Sequence, residues 1–374
     1  MMEWKFPYYD VSEGIDWVSI EREFDWFRDM EGVPQDPIWH AEGDVQIHTK
    51  MVCEAIIALP EFQELNDQEK HIMFTGALMH DIEKRSTTKE DQRDGRTCIV
   101  APKHANKGEY TARQVLYQDI PTPFHIREQI CGIVRYHGIP LWSVEDEDAT
   151  ERTIHATNYV KGKFLAMIAK ADILGRTAVD NPDQLIKAEY FQLLCEDLHI
   201  TEQPFLFEKP LARYHYLTKG TWIHYIPFDE TKFTANFMIG IAGSGKDRYV
   251  TDLGLPMVSF DAIRIEMGVS HGDSQGQGRV MQEAKERVKI RMRKGEDFVI
   301  NATNLTRDLR GKWISLVEEY GGKAVAHYVE VPYKQLLLQN GNREAKVPEV
   351  VIHKMIRKLE MPQYNEFAEI YYMV

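Results

Sequence analysis

Phe237-Met238-Ile239-Gly240-Ile241-Ala242-Gly243-Ser244-Gly245-Lys246-Asp247 decides the fold of the C-terminal part of the chain. An apolar run leads into a glycine-rich turn and then into residues able to open a helix, so the stretch reads as strand, phosphate loop and helix. The glycines let backbone N–H groups face phosphate oxygens without Cβ clashes. The helix N-terminus adds positive potential, and a lysine at this position reaches the β- and γ-phosphates. Gly240, Gly243, Ser244, Gly245, Lys246 and Asp247 are therefore expected to hold ATP or another nucleoside triphosphate, with Mg²⁺. The alternative is a glycine-rich strand-to-helix turn without a ligand. Asp247 departs from the pattern, standing where Ser or Thr offers a hydroxyl to the metal.

Downstream, Pro256-Met-Val-Ser259 precedes Phe260-Asp261-Ala-Ile-Arg264, and a helix is expected from about Gly278 to Lys294. The strand Phe298–Asn304, a helix through Trp313 and Leu316, and the strand Ala324–Val331 follow. Strands alternating with helices predict an α/β domain with a parallel sheet over residues 231–374.

From about Thr234 to Met361 this order resembles the polynucleotide 5′-kinase family. The portion from Thr303-Asn304-Leu305 through Val347-Pro348 is most similar to the phage-type enzymes. The resemblance implies that Asp261 is the general base and that Arg264, three residues on, grips the substrate phosphate. It further implies that Arg343 is the lid arginine on the transferring γ-phosphate and that Thr303 faces substrate. Two positions depart from the family. Gln339 replaces a second lid arginine, and Asn301 replaces a strand-end carboxylate. A carboxylate can accept the proton of an attacking hydroxyl, and a guanidinium can grip a phosphate bidentately.

Between about Asp16 and Asp180 the apolar spacing is helical, as in Val52, Ala55, Ile56 and Leu59, or Ile126, Ile130, Ile133 and Val134. Several helices are expected to pack into an all-α domain over residues 1–180. On these helices lie His48, the adjacent His80-Asp81, His104, His137 and Asp172, donors suited to a divalent transition metal. A single histidine on an apolar helix is more often a core or surface residue. Here several stand in recognisable contexts: Trp39-His40-Ala-Glu42-Gly43-Asp44, His80-Asp81-Ile-Glu-Lys84, His104-Ala-Asn-Lys107-Gly108, Val134-Arg135-Tyr136-His137-Gly138 and Ala169-Lys170-Ala171-Asp172-Ile-Leu-Gly-Arg176.

This resembles the HD phosphohydrolase superfamily from roughly Pro34 to Arg176, most nearly the HD domain of bacterial CCA-adding enzymes. The implied fold is an HD-type helical domain followed by the P-loop kinase domain. The resemblance implies a primary metal site of His48, His80, Asp81 and Asp172, with His104 and His137 as ligands of a second. His40, Lys84, Lys107 and Arg176 would then face substrate phosphate. The implied metal is Mn, Ni, Co, Zn, Fe or Cu, and the implied substrates are 2′,3′-cyclic phosphates and 2′- or 3′-phosphates. A divalent metal acidifies its water and stabilises charge on a phosphoryl oxygen, so the expected reaction is phosphoester hydrolysis.

Residues 181–230 read as a connector, with a helix-like segment Leu185–Leu198 followed by a β-hairpin. Its arms would be Tyr214-His215-Tyr216 and Trp222-Ile223-His224-Tyr225-Ile226, turning at Lys219-Gly220. Its aromatics suggest a packing face more than a platform for stacked bases.

The 374 residues fit two domains with independent cores, and 43% hydrophobic content supports a folded chain. From Thr231 onward there are 21 Lys and Arg against 18 Asp and Glu, a balance of +3, which leaves −16 for the first 230 residues out of the total of −13. The acidic half suits cations, and the mildly basic half suits a phosphorylated substrate. Cys53, Cys98, Cys131 and Cys195 lack C-x-x-C spacing, arguing against a thiolate zinc site or a disulfide framework. No membrane-length apolar run and no signal-type segment is present, so a cytoplasmic location is expected.

Together these features lead to the expectation of an enzyme that heals RNA or DNA ends, pairing removal of 3′-end phosphates with 5′-phosphorylation and working upstream of a separate ligase. The competing readings are a nucleotide-metabolism enzyme pairing a nucleotide hydrolase with a small-molecule kinase, and a binding protein with degenerate sites.

Overall fold

The computed structural model describes residues 3–93, 95–142, 147–270, 272–343 and 346–374. Contacts divide the chain into two compact units, Met1–Leu206 and Phe207–Val374.

The first unit is helical. Its main elements are α1 (Val45–Ala58), α2 (Asp67–Met79), α3 (His104–Gln118), α4 (Phe124–Tyr136), α5 (Gly162–Leu174) and α6 (Asn181–Asp197). An antiparallel strand pair, Lys89–Arg93 with Arg96–Val100, lies between α2 and α3. Sequence fixes the helix starts. Asp44 caps α1 by accepting from the backbone N–H of Ile47 at 2.9 Å, and Asn66 caps α2 through Glu69 at 3.0 Å. The apolar faces meet as α1 on α2, α2 on α4 and α1 on α5. Val52, Ile56, Phe74, Leu78, Ile130, Ile133, Phe164 and Ile168 are all buried there.

Close approach of α5 to α1 depends on a residue without a side chain. A Cβ on Gly175, at the end of α5, would sit 2.6 Å from the backbone nitrogen of Val52. The same approach brings Asp172, one turn earlier on α5, to His48, one turn earlier on α1.

In the second unit the stretch expected as a hairpin is instead helix α7 (Pro210–Lys219), ended by Gly220 at φ 60°, and residues 221–230 form no strand. Proline in the first turn and glycine in the left-handed conformation after the last turn delimit a helix. The alternating aromatics are a coincidence of period. Ala212 and Leu217 supply its buried side, and Arg213 stacks its guanidinium 3.5 Å from the Tyr364 ring centroid.

The remainder alternates as expected: β1 (Thr234–Ile239), α8 (Lys246–Leu253), β2 (Met257–Ser259), α9 (Phe260–Glu266), α10 (Ser274–Lys294), β3 (Phe298–Asn301), α11 (Arg307–Glu319), β4 (Lys323–Val329), α12 (Tyr333–Gly341), α13 (Glu349–Lys358) and β5 (Glu369–Met373). The sheet is wholly parallel in the order β2-β3-β1-β4-β5. This is a P-loop α/β architecture. β1 is buried at every residue after Thr234, as a central strand covered on both faces requires. From β1 the chain runs to the edge strand β2, returns to β3 and then crosses over to β4 on the other side of β1, so the crevice at the carboxyl end of β1 is the place for a ligand.

One buried cation braces that end. Arg310 donates to the carbonyls of Asn304 (3.1 Å), Leu305 (3.2 Å) and Glu360 (2.8 Å) and to both carboxylate oxygens of Glu366 at 2.7 and 2.9 Å. Asn304, at φ 46°, donates from Nδ2 to the Met238 carbonyl at 2.8 Å.

Among the described residues no helix is long and apolar enough to cross a membrane. All four cysteines are buried and unpaired, as small apolar residues would be.

Gly175→Ala should destabilise the N-terminal unit by about 1–3 kcal/mol, because backbone rather than a flexible side chain stands in the way. A lower urea midpoint for this unit checks it, and an unchanged midpoint would refute the close-approach account.

Candidate metal centre and nucleotide site

In the first unit, helix geometry gathers the six expected ligands. His48 lies in the first turns of α1, His80 and Asp81 follow the end of α2, His104 opens α3, His137 ends α4, and Asp172 lies near the end of α5. His48, His80, Asp81 and His137 are buried. The short links converge on two carboxylates: His48 Nε2 lies 3.1 Å from Asp172 Oδ1, His80 Nε2 3.2 Å from Asp81 Oδ2, and His104 Nε2 3.2 Å from Asp81 Oδ1.

The protons are placed by the backbone. His80, His104 and His137 each direct Nδ1 at the carbonyl three residues earlier, Ala77 (2.7 Å), Ala101 (2.8 Å) and Val134 (2.9 Å). A carbonyl only accepts, so each Nδ1 carries hydrogen and, in the neutral ring, each Nε2 presents a lone pair. The Nε2 atoms of His104 and His137 face each other at 3.3 Å. Both ring nitrogens of His48, His80 Nε2 and Asp81 Oδ1 lack a well-formed hydrogen bond although buried. Acceptors facing acceptors inside a core are relieved either by a proton, as on His48, or by a bound cation. Donor atoms around an ion with bonds near 2.1 Å stand roughly 3–3.5 Å apart; the shortest links here have that spacing, while His48 Nε2 to Asp81 Oδ2 is 3.7 Å and His137 Nε2 to Asp81 Oδ1 is 4.0 Å. The residues fit a divalent metal, with Asp81 between the sets His48–His80–Asp81 and Asp81–His104–His137.

Electrostatics agree. Burial works to raise the Asp81 pKa, but the Lys84 ammonium and His80 outweigh it and hold the group well below the usual carboxylate range. Burial also disfavours charge on His48, yet Asp172 and Glu42 push its pKa up to about 9 without metal. His137 is pulled down to about 4 by burial and by His80 and His104.

A residue quoted in the sequence only as context has a clear part. Glu42 Oε1 lies 2.9 Å from Nδ1 of both His40 and His48, while its Oε2 accepts the Thr177 N–H at 2.8 Å. One carboxylate with a buried side chain thus hydrogen-bonds His40 and stands at ion-pair distance from His48, a candidate ligand. The available signal was a carboxylate six residues before the first ligand on a strap leading into α1.

Beside the cluster opens a cavity of about 320 Å³ lined by His40, Lys84, His104 and Arg176, with Trp39 and Trp142 among its walls. Lys84 Nζ lies 2.6 Å from Asp81 Oδ2 and donates to Gln35 at 2.9 Å. Arg176 is held by Asn181 and Asp180. Lys107 does not line this cavity. Its ammonium pairs with the buried Glu83 at 2.9 Å and donates to Ser86 at 2.6 Å.

In the second unit the loop Gly240–Gly245 joins β1 to α8. Gly240, Gly243 and Gly245 have φ of 152°, 90° and 96°. A Cβ on Gly240 would meet the Val329 carbonyl oxygen at 2.4 Å, so only glycine fits against the end of β4. The Thr303 carbonyl accepts the Gly240 N–H at 3.1 Å, giving Thr303 a backbone part in holding the loop. Lys246 is buried, and its Nζ donates to the carbonyls of Gly240 and Ile241 at 2.8 Å each. Burial lowers its pKa to about 8; Asp247 and Asp261 oppose the shift, and Arg343 adds to it. Ser244 Oγ is buried without a hydrogen-bond partner.

Asp261 lies in the first turn of α9 with its side chain mostly exposed and ion-paired to Arg264, whose Nε donates to Gln277 at 3.2 Å. Asn301 ends β3 and donates from Nδ2 to Asp247 Oδ1 at 2.8 Å. Arg343 follows α12, beyond Gln339 in its last turn.

The model of the AAA domain family matches residues 236–362, about the length of the sheet domain from β1 to α13. A sugar kinase from Janibacter sp. shares 17% identity and a TM-score of 0.29, covering 38% of this chain and 85% of that one. A gluconokinase from Sinorhizobium meliloti shares 18% identity and a TM-score of 0.28, covering 39% and 83%. No curated protein matches the chain. The parallel sheet and the phosphate loop at the end of its central strand identify the fold of this unit as P-loop α/β.

Glu42→Ala should lower divalent-metal affinity by about 10–100-fold while every direct ligand stays in place. Competition against a chromogenic chelator measures it, and unchanged affinity would mean that Glu42 does not orient His48.

Proposed function

We propose that the chain is a bifunctional enzyme of polynucleotide ends: the helical unit removes 2′,3′-cyclic phosphate and 2′- or 3′-phosphate, and the P-loop unit phosphorylates 5′-hydroxyls. The observation that carries this reading is the Asp261–Arg264 pair at the start of α9. Its exposed carboxylate can take the proton of an attacking hydroxyl. Its guanidinium suits a phosphate next to that hydroxyl, which a terminal nucleotide has.

In the kinase half, Lys246 exchanges its carbonyl partners for the β- and γ-phosphates of ATP, while the loop N–H groups cradle them. Asp261 accepts the 5′-hydroxyl proton, Arg264 fixes the adjacent phosphate, and Arg343 meets charge developing on the transferred group. In the phosphoesterase half, a divalent metal would be held by His48, His80, Asp81 and Asp172, with His104 and His137 around a second ion. Bound there, such a metal would supply an acidified water and charge stabilisation at the phosphoryl oxygen. Arg176 and His40 bind the phosphate from the cavity side. Lys84 stays against Asp81 and directs positive charge into the cavity. Trp39 and Trp142 offer apolar walls to a terminal nucleoside.

The decisive assay uses labelled RNA and DNA oligonucleotides with a 5′-hydroxyl and a phosphorylated 3′ end, with and without ATP. Loss of terminal phosphate without ATP and gain of 5′-phosphate with it is expected. Phosphorylation of free nucleosides or sugars in preference to oligonucleotides would overturn the reading.

The two activities should separate. Asp81→Ala is expected to abolish phosphohydrolysis and spare the kinase, and Lys246→Ala to do the reverse. Loss of both activities from either folded variant would contradict independent sites.

Arg264→Ala should weaken phosphorylation of a nucleoside 3′-phosphate by about 2–5 kcal/mol, the cost of losing a charge-assisted contact, with ATP affinity little changed. Equal loss in ATP affinity would place Arg264 on the nucleotide side.

A further inference from the structure

A phosphate loop usually ends in a hydroxyl, with a carboxylate at the tip of a neighbouring strand. Such a hydroxyl can donate to that carboxylate, and both oxygens suit Mg²⁺. Here the residue types are exchanged, with Asp247 at the loop end and Asn301 at the end of β3. They nevertheless meet: Asn301 Nδ2 donates to Asp247 Oδ1 at 2.8 Å, and Nδ2 also lies 3.5 Å from Met257 Sδ. Asn301 is buried and fixed in the sheet beside Met238 of β1 and Ser259 of β2, whereas Asp247 is exposed in the first turn of α8. The bond between loop end and strand end is therefore present with its polarity reversed, and the pair still carries a single negative charge.

We infer that Asp247, oriented by Asn301, is the metal-binding carboxylate of this nucleotide site, and that its position on the loop makes nucleotide binding depend on the metal. The inference rests on reading Gly240–Lys246 as a nucleotide site. Three features support it. The amide presents its N–H₂ to the carboxylate, so Asn301 acts as a holder and leaves Asp247 as the anionic oxygen donor. Mg²⁺ prefers such oxygens and keeps several waters, so one carboxylate with the phosphate oxygens completes a site. Asp247 directly follows Lys246 at the end of the loop, so phosphates held by that lysine would lie near the carboxylate. Without a cation it repels them. A neutral hydroxyl at the same point would not.

Two affinities of the full chain, carrying Asp81→Ala throughout to disable the metal centre of the helical unit, test this: Mn²⁺ binding in the presence of ADP less that in its absence, read from the free Mn²⁺ electron-paramagnetic signal, and ADP binding with and without metal by calorimetry. Asp247→Asn keeps shape and removes charge. It should weaken Mn²⁺ binding about tenfold or more and tighten metal-free ADP binding, so that the metal dependence of ADP affinity collapses. Asp247→Ser combined with Asn301→Asp restores the usual order and should recover much of the Mn²⁺ affinity lost in Asp247→Ser alone. Three results would overturn the inference: unchanged Mn²⁺ affinity in Asp247→Asn, equal tightening of ADP with and without metal, or no recovery in a folded double variant. Failure of the wild-type protein to bind ADP under any condition would overturn the nucleotide site as well, which separates the two failures.

Discussion

A carboxylate buried among imidazoles is the constraint on which the helical unit depends. Asp81 cannot lie in an apolar core as an anion unless positive charge meets it, and Lys84 supplies one such charge at 2.6 Å. Despite its burial, His48 adds charge of its own between Asp172 and Glu42, which raise its pKa to about 9. His80, His104 and His137 commit their Nδ1 hydrogens to backbone carbonyls, and their remaining lone pairs point inward, at Asp81 and at each other. The helix ends that carry these residues are therefore placed where they could hold a cation, and the close packing of α5 on α1 maintains that placement.

Much of this site was legible in the sequence because few residue types bind metals, and six of them occurred on helical segments in recognisable contexts. The spacing of Val52, Ile56, Phe74, Leu78, Ile130 and Ile133 was equally legible, since burial on one helix face leaves a periodic trace. Glu42 was harder to read. It makes no first contact with an ion, and its effect passes through the Nδ1 atoms of His40 and His48, a relation visible only once the strap before α1 is placed. Lys107 was hard to read for another reason: its ammonium pairs with Glu83, whose burial no local pattern announces.

In the second unit the glycine spacing foretold the loop because each glycine answers a backbone need, most plainly Gly240 against the Val329 carbonyl. The hairpin expected near Gly220 failed because a short run of alternating aromatics fits two periods, and the helix boundaries at Pro210 and Gly220 outweighed it. The strand order was beyond local reading, since it depends on which side of β1 each later strand is laid.

Arg310 has a consequence for where this unit can be cut. Family likeness ends at residue 362, yet the carboxylate that neutralises Arg310 is Glu366, and the edge strand β5 lies later still. A fragment trimmed to the recognisable stretch would leave a guanidinium buried without its counter-ion, a defect that costs about 3–5 kcal/mol when one partner of a buried pair is removed. It would also loosen the turn at Asn304 that grips Met238, next to the phosphate loop. The last dozen residues, silent as a motif, thus form the keystone of the nucleotide crevice, and any dissection of the two halves has to carry them along.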